Sequence, residues 1–163
     1  MVAEKMKIGV ISDTHLNRIS GELRDIFAKY LAETDMILHA GDIVSVTILD
    51  YLAERPVHAV FGNMDPFEVQ RRLPGKTVVE AEGFRIGLIH GWGPSAGLED
   101  RIAEEFSGVD AIVYGHSHQA VNHLKNGVLY FNPGTATGYS SSGSHSIGLL
   151  ELGDTIAGRI IPL

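Results

Sequence analysis

Four short apolar runs set the frame of the chain: Ile8-Gly9-Val10-Ile11, Met36-Ile37-Leu38, Val57 to Phe61 and Ala111-Ile112-Val113-Tyr114. Each is continuous rather than alternating, the pattern of a strand covered on both faces. Between the first three, apolar residues recur at helical spacing. Leu23, Ile26, Phe27, Tyr30 and Leu31 mark one helix, with Ser20 as its expected N-cap. Ile48, Leu49 and Leu52 mark a second, which must stop before Pro56. Strand, helix, strand, helix, strand predicts a parallel sheet joined by right-handed crossovers.

After Phe61 the pattern changes. Pro66 to Leu73 suits one short helix, capped by Asp65 with Pro66 at its first position. Thr77-Val78-Val79 and Phe84 to Ile89 flank Glu82-Gly83 as a hairpin, and Leu98, Ile102 and Phe106 mark a third longer helix. Ala120 to Leu124 and Val128 to Phe131 flank Asn126-Gly127, a strong two-residue hairpin signal. Asn132 to Ser146 is rich in Gly, Ser and Thr and reads as a surface loop over the functional edge. Ile147 to Leu152 and Ile156 to Ile161 close the chain as a last hairpin around Gly153-Asp154. Alternation followed by hairpins predicts two sheets packed face to face with helices outside, in a single domain over 1–163.

Composition narrows the chemistry. Hydrophobic residues are 44% and charged residues 20% of 163, ordinary for a globular protein. The formal net charge of -7 gives no help toward nucleic acid or an anionic membrane surface. There is no cysteine, which excludes disulfides, thiolate nucleophiles and thiolate metal sites. Met1 to Lys7 lacks the apolar region of a signal peptide, and no run approaches a membrane span of about 18 apolar residues. The expected location is the cytoplasm.

Candidate ligands gather where the strands end. Ile8–Ile11 is followed by Asp13 and His15, Met36–Leu38 by Gly41-Asp42, Val57–Phe61 by Gly62-Asn63-Met64-Asp65. Phe84–Ile89 is followed by His90-Gly91, and Ala111–Tyr114 by Gly115-His116-Ser117-His118. Singly, each has an ordinary explanation: Asp13 and Asp42 as turn residues, Asn63 bonding its own loop, His90 as a packed histidine. Parallel strands bring their C-terminal ends to one edge, where open α/β sheets bind ligands, so these side chains are expected to converge. In an extended segment His116 and His118 would project to the same side. Asp13, His15, Asp42, Asn63, His90, His116 and His118 are seven oxygen and nitrogen ligands, more than one tetrahedral site needs and suited to two ions of higher coordination number.

Asp13-x-His15, Gly41-Asp42, Gly62-Asn63-x-Asp65, His90-Gly91 and Gly115-His116-x-His118, in that order, resemble the motifs of the calcineurin-like metallophosphoesterases, and the short chain resembles their small prokaryotic phosphodiesterase branch. The resemblance implies a four-layer α/β/β/α sandwich of two mixed sheets. It implies a dinuclear phosphodiesterase that hydrolyses a phosphoester by attack of metal-bound hydroxide. It places Asp13, His15 and His118 on one ion and Asn63, His90 and His116 on the other, with Asp42 bridging, and it adds Asn63, Asp65 and His90 as catalytic residues. Manganese is favoured by the resemblance; nickel, cobalt, iron and zinc also suit such ligands. One position departs from the pattern. Many members have a histidine after the asparagine, acting as acid or phosphate contact, and here it is Met64, which cannot donate a proton. In such members the following aspartate orients that histidine; here it is Asp65.

The expected partner is a small phosphoester substrate, with no membrane and no tight nonspecific nucleic-acid binding; an oligomer is compatible with the chain. A rival reading is a non-catalytic protein-binding scaffold of the same fold, as in the phosphoesterase-like retromer subunit. The complete ligand set favours catalysis, whereas Met64 leans toward the scaffold. A dinucleotide-binding protein is unsupported, since Ile11-Ser12-Asp13-Thr14-His15 contains no Gly-x-Gly-x-x-Gly. His39 is assigned a supporting role behind the ligands, and His58, His123 and His145 structural or exposed roles. Trp92, the only tryptophan, has packing as its ordinary role and covering a substrate ring as the alternative. Asn132-Pro133-Gly134-Thr135 is either a simple turn or a row of backbone N–H groups facing phosphate.

Overall fold

The computed structural model describes residues 4–163, within which ten strands form two five-stranded sheets. In the first, β1 (Met6–Ile11), β2 (Met36–His39) and β3 (Val57–Ala59) are parallel. Two helices form the connections: α1 (Gly21–Ile26), which runs on as a π-helical turn over Phe27–Leu31, and α2 (Val46–Leu52). Ser20 caps α1, its hydroxyl accepting the Leu23 N–H at 3.1 Å.

The second sheet holds β4 (Lys76–Ala81), β5 (Phe84–Ile89), β6 (Ala111–Val113), β7 (Val121–Lys125) and β8 (Val128–Asn132), in the order β4-β5-β6-β8-β7. Its centre, β5-β6-β8, is parallel, and both edges are antiparallel hairpin partners. The last hairpin, β9 (Ser146–Leu152) and β10 (Ile156–Pro162), returns to the first sheet and pairs antiparallel with β1. Both sheets are therefore mixed.

Three apolar clusters separate four layers. Between the sheets, Ile8, Val10 and Leu38 meet Ile86, Leu88, Val113 and Phe131. Behind the first sheet, Ile11 and Ile37 pack on Leu23, Leu31, Ile48 and Leu52 of the helices. Behind the second, Ile112 and Tyr130 pack on Leu98 and Ile102 of α4 (Leu98–Ala103). Alternate residues of β1 and β2 thus serve opposite faces, which explains why these strands read as unbroken apolar runs. The fold is the expected α/β/β/α sandwich. Among the described residues no helix is long and apolar enough to cross a membrane.

Two local expectations change. The helix after Asn63 is a single turn, α3 (Phe67–Gln70), whose N-cap is Pro66 with no side-chain bond. Asp65 is drawn away from capping by three other backbone N–H groups, described below. The segment after β8 is also no surface loop at its start. Asn132, Thr135 and Ala136 are fully buried, and Ala136 belongs to the core behind the first sheet.

Candidate metal centre

The parallel strands deliver their ends to one edge, and the loops that follow fold into uncommon backbone. Eight non-glycine residues among those described have positive φ. Five are Asp13 (54°), His15 (50°), Asp42 (57°), His116 (71°) and His118 (61°), all candidate ligands. Left-handed backbone costs about 1–2 kcal/mol per residue, so such a concentration marks a site whose geometry is imposed by its surroundings. Residues 116 and 118 are consequently not neighbours on an extended strand. His116 lies against His90 and His118 against His15, each pair with ring centroids 5.3 Å apart.

Asp13, His15, Asp42 and His118 form the tightest group. One ligand atom from each lies within 4.8 Å of the others. His118 Nε2 is 3.2 Å from Asp13 Oδ1, and His15 Nε2 is 3.4 Å from Asp42 Oδ2. Asp13 Oδ1 and His15 Nε2 are buried without any hydrogen-bond partner. Buried polar atoms are rarely left without an aligned hydrogen bond, and a carboxylate oxygen facing two imidazole nitrogens, at 3.2 Å and 3.7 Å, is the donor arrangement that a cation completes. His90 adjoins this group, with Nε2 at 3.3 Å from Asp42 Oδ2 and 3.1 Å from Asn63 Oδ1. His116 stands at the outer end, with its Nε2 at 2.8 Å from the Gly93 carbonyl.

Backbone carbonyls set the tautomers. A carbonyl only accepts, so His90 Nδ1–H donates to Ala40 O, His118 Nδ1–H to Tyr139 O and His116 Nε2–H to Gly93 O. This turns His90 Nε2 and His118 Nε2 toward the carboxylates and leaves Nδ1 as the second nitrogen of His116. Without metal, His118 Nε2 pairs with Asp13 and His90 Nε2 with Asn63 Oδ1 and Asp42, so an ion takes these positions by displacing protons. The carboxylates are held in the same manner. Asp13 Oδ2 accepts from the Ser12 hydroxyl at 2.7 Å and the His116 N–H at 3.2 Å, while Asp42 Oδ1 accepts from the Met64 N–H at 2.8 Å. The opposite oxygen of each is left to the cluster.

The charges are coupled. Burial raises the Asp13 carboxyl, but the His118 and His15 rings and the Ser12 hydroxyl outweigh it and hold the group well below the usual carboxylate range. Burial likewise opposes ionisation of Asp42, which the His90 ring more than offsets. The Asp13 carboxylate in turn pushes His118 up to about 9. Burial disfavours the charged form of His90, yet Asp42 and Asp13 raise it. Free of metal, the centre is a proton-loaded set of ion pairs.

Neighbours hold this frame. His39 is fully buried, accepts the Gly41 N–H on Nδ1 at 3.0 Å and meets Thr14 Oγ1 with Nε2 at 3.2 Å. Burial pushes it down to about 4, so it stays neutral beneath two carboxylates. Asp65 faces backbone rather than the cluster: it accepts N–H bonds from Gly62 at 2.7 Å, Asp42 at 3.0 Å and Val44 at 2.6 Å. Burial nonetheless raises its pKa. Thr135 Oγ1 donates to Asp13 O at 2.9 Å and Thr137 Oγ1 to Thr14 O at 2.6 Å, clamping the first ligand loop from the far end of the chain. The sequence marks the Asn132–Thr135 turn but not that use. Gly134 N–H bonds the Asn132 side chain, so the segment is an Asx turn whose hydroxyls reach back to β1.

Close approach requires glycine at Gly115, where an added Cβ would collide with Ser12 Oγ and sit 2.7 Å from Asp13 Oδ2. The substitution Gly115→Ala is expected to weaken divalent-metal affinity by about 10–100-fold, the usual effect of disturbing a ligand's support. Metal titration of chelated protein checks this, with circular dichroism confirming the fold. Unchanged affinity would mean that Asp13 is not a ligand.

Residues 6–155 match the calcineurin-like phosphoesterase superfamily domain. The chain belongs to this superfamily. It is 35% identical over 162 residues to a probable metallophosphoesterase of Methanocaldococcus jannaschii, covering 97% of this chain and 82% of the relative. Among solved structures it resembles a novel archaeal phosphodiesterase, with a TM-score of 0.75, 26% identity, and 97% and 100% of the two chains covered. It resembles equally Vps29 of Entamoeba histolytica complexed with zinc, with a TM-score of 0.73, 25% identity, and 96% and 99% covered. Calcineurin-like phosphoesterases bind divalent metals, and the donor set of this chain fits such ions: two carboxylates, ring nitrogens with fixed tautomers and two orphaned buried atoms.

Proposed function

We propose that the chain is a dinuclear metal-dependent phosphodiesterase. The observation that carries this is the buried, partnerless pair Asp13 Oδ1 and His15 Nε2 inside the four-residue cluster. Asp13, His15 and His118 hold one ion; Asn63, His90 and His116 hold the other, and Asp42 is shared. The carbonyl bonds on the other ring nitrogens of His90 and His118, which turn their Nε2 atoms toward Asp42 and Asp13, support this division. Ions bound there offset phosphate charge and lower the pKa of water, supplying a nucleophile near neutral pH. Manganese is the favoured ion, and the zinc bound by the Entamoeba relative makes zinc the alternative.

This chain's residues orient and position. Asp65 holds Gly62, Asp42 and Val44 and acts through them, so we assign it positioning rather than contact with substrate. Two cavities of about 540 Å³ flank the centre, one beside Asn63 and His90 and one beside His116 and His118. A diester has two arms to place, a monoester one. Neither cavity lining holds a free Arg or Lys, since Lys76 is paired with Glu105 at 3.0 Å. That favours a singly charged diester over a dianionic monoester.

A protein-contact role, as a Vps29-like scaffold, is the second reading; the Entamoeba Vps29 is complexed with zinc, so turnover rather than metal content separates the two. Elemental analysis with assay of bis(p-nitrophenyl) phosphate and p-nitrophenyl phosphate across several metals tests the proposal. Two ions per chain and preference for the diester are expected; metal-free protein purified without activity under any metal would overturn it.

Met64 limits the substrate range. The residue is 59% exposed, its N–H is bonded to Asp42 Oδ1 at 2.8 Å, and its side chain offers no proton to a leaving oxygen. Aryl diesters, whose leaving anion is stable, are expected to react well ahead of alkyl diesters. Met64→His should improve alkyl substrates over aryl ones by about tenfold or more, toward the range of general-acid catalysis. Equal changes for both would show that the position governs phosphate binding instead.

A further inference from the structure

The cavity beside Asn63 and His90 has a distinct chemistry. Phe61, Ile89 and Trp92 line it with apolar surface, and Gln70, Lys76 and Glu105 sit at its polar side. Lys76 Nζ bonds both the Glu105 carboxylate, at 3.0 Å, and the Glu105 carbonyl, at 3.3 Å, so this side carries no net charge for a second phosphate. The volume of about 540 Å³ is that of a small-molecule pocket.

Trp92 is 44% exposed yet firmly held. Arg101 donates from Nε to the Trp92 carbonyl at 3.0 Å, from one terminal nitrogen to Ala96 O at 3.1 Å, and from the other to Pro94 O. The next residue, Gly93, receives the His116 ring on its carbonyl. The loop that carries the indole is thus pinned on one side by a guanidinium and on the other by a residue of the centre. An exposed aromatic ring on a fixed loop, at the edge of a charged centre, is a stacking platform.

We infer that this groove receives a planar, uncharged aromatic arm of the substrate, of nucleobase type, stacked on Trp92. The inference rests on reading the adjoining centre as a phosphoester site. It makes the substrate class a nucleoside phosphodiester, with the base in the groove, the phosphate at the carboxylate–imidazole cluster, and the Lys76–Glu105 pair and Gln70 within reach of the base edge.

Trp92 is the only tryptophan, so its fluorescence reports the groove directly. Manganese-loaded protein is titrated with adenosine 5′-monophosphate and, separately, ribose 5-phosphate, which shares the phosphate and sugar but lacks the base. The nucleotide is expected to quench Trp92 and to bind about tenfold or more tighter, the order of one base stacked on one ring. By calorimetry, Trp92→Ala should abolish that preference and Trp92→Phe retain most of it. Equal affinity for the two phosphates, or a preference that survives Trp92→Ala, would overturn the inference. The two readings fail separately. Diester turnover without base preference leaves the phosphodiesterase and removes the groove; base preference without turnover does the reverse.

Discussion

On the proposed dinuclear phosphodiesterase reading, Asp42→Asn is expected to reduce bound metal from two ions per chain to one and to lower diester turnover by about 10³-fold, several kcal/mol of transition-state charge stabilisation. Asp42 stands between the two halves of the centre. Its Oδ2 is 3.4 Å from His15 Nε2 and 3.3 Å from His90 Nε2, while Oδ1 is committed to the Met64 N–H. Asparagine keeps the shape. With its oxygen on the Met64 N–H, its amide N–H₂ faces His15 Nε2 and His90 Nε2. That group carries no negative charge and cannot ligate a cation, so two like charges lose what draws them together. Elemental analysis and bis(p-nitrophenyl) phosphate kinetics read the two effects in one sample. Retention of both ions with an unaltered rate would remove Asp42 as the bridge.

The second large effect is the pH dependence of metal binding. Without metal, the Asp13 carboxylate pushes His118 up to about 9, above its ordinary 6.5. A raised histidine pKa contributes stability that is fully present below 6.5 and is lost as pH climbs through about 9. Asp13 works in the opposite sense: its depressed pKa contributes stability above the model-compound value of 3.8, lost as pH falls further. These two groups therefore favour the metal-free fold most between about pH 4 and 6.5. A metal must displace the His118 proton to use Nε2, so affinity should keep rising to about pH 9 instead of levelling near 6.5. One displaced proton over that interval corresponds to roughly 300-fold in apparent affinity. Competition titrations against a chelator of known pH dependence measure this. The melting temperatures of chelated and metal-loaded protein should also diverge as pH rises, the chelated form falling. A plateau in affinity from neutral pH upward would show that His118 is not a ligand.

Both expectations depend on how tightly the loops are tied. Asp65 takes three N–H groups from the loops of Asp42 and Asn63, and Thr135 and Thr137 take carbonyls from the loop of Asp13. Left-handed backbone at five candidate ligands persists because these bonds leave no relaxed alternative. The donor atoms are then already convergent before any ion arrives, which lowers the reorganisation that binding requires.

The amino-acid sequence by itself determined the strands, the helices at α1, α2 and α4, and the residues able to ligate metal. Those features are local. Continuous apolar runs specify buried strands, helical spacing specifies the crossovers, and Asp, His and Asn at successive strand ends share one edge once the strands are parallel. The tertiary structure alone decided the rest. The β9–β10 hairpin joins the first sheet through pairing with β1, a partner that its own alternation does not name. Asn132 to Thr137 reads as exposed from its small polar residues, yet Asn132 to Ala136 are buried and the Thr135 and Thr137 hydroxyls bond the loop after β1. Those bonds link residues 122 and 123 positions apart. Asp65 looks like a helix cap until three N–H groups from folded loops compete for it, and His116 and His118 look like neighbours until left-handed turns send them to different partners. Pattern along the chain reports which side chains want burial or a cation. Which lone pair faces the centre, and which groove opens beside it, is settled by hydrogen bonds between segments far apart in sequence, and these exist only when both layers are packed.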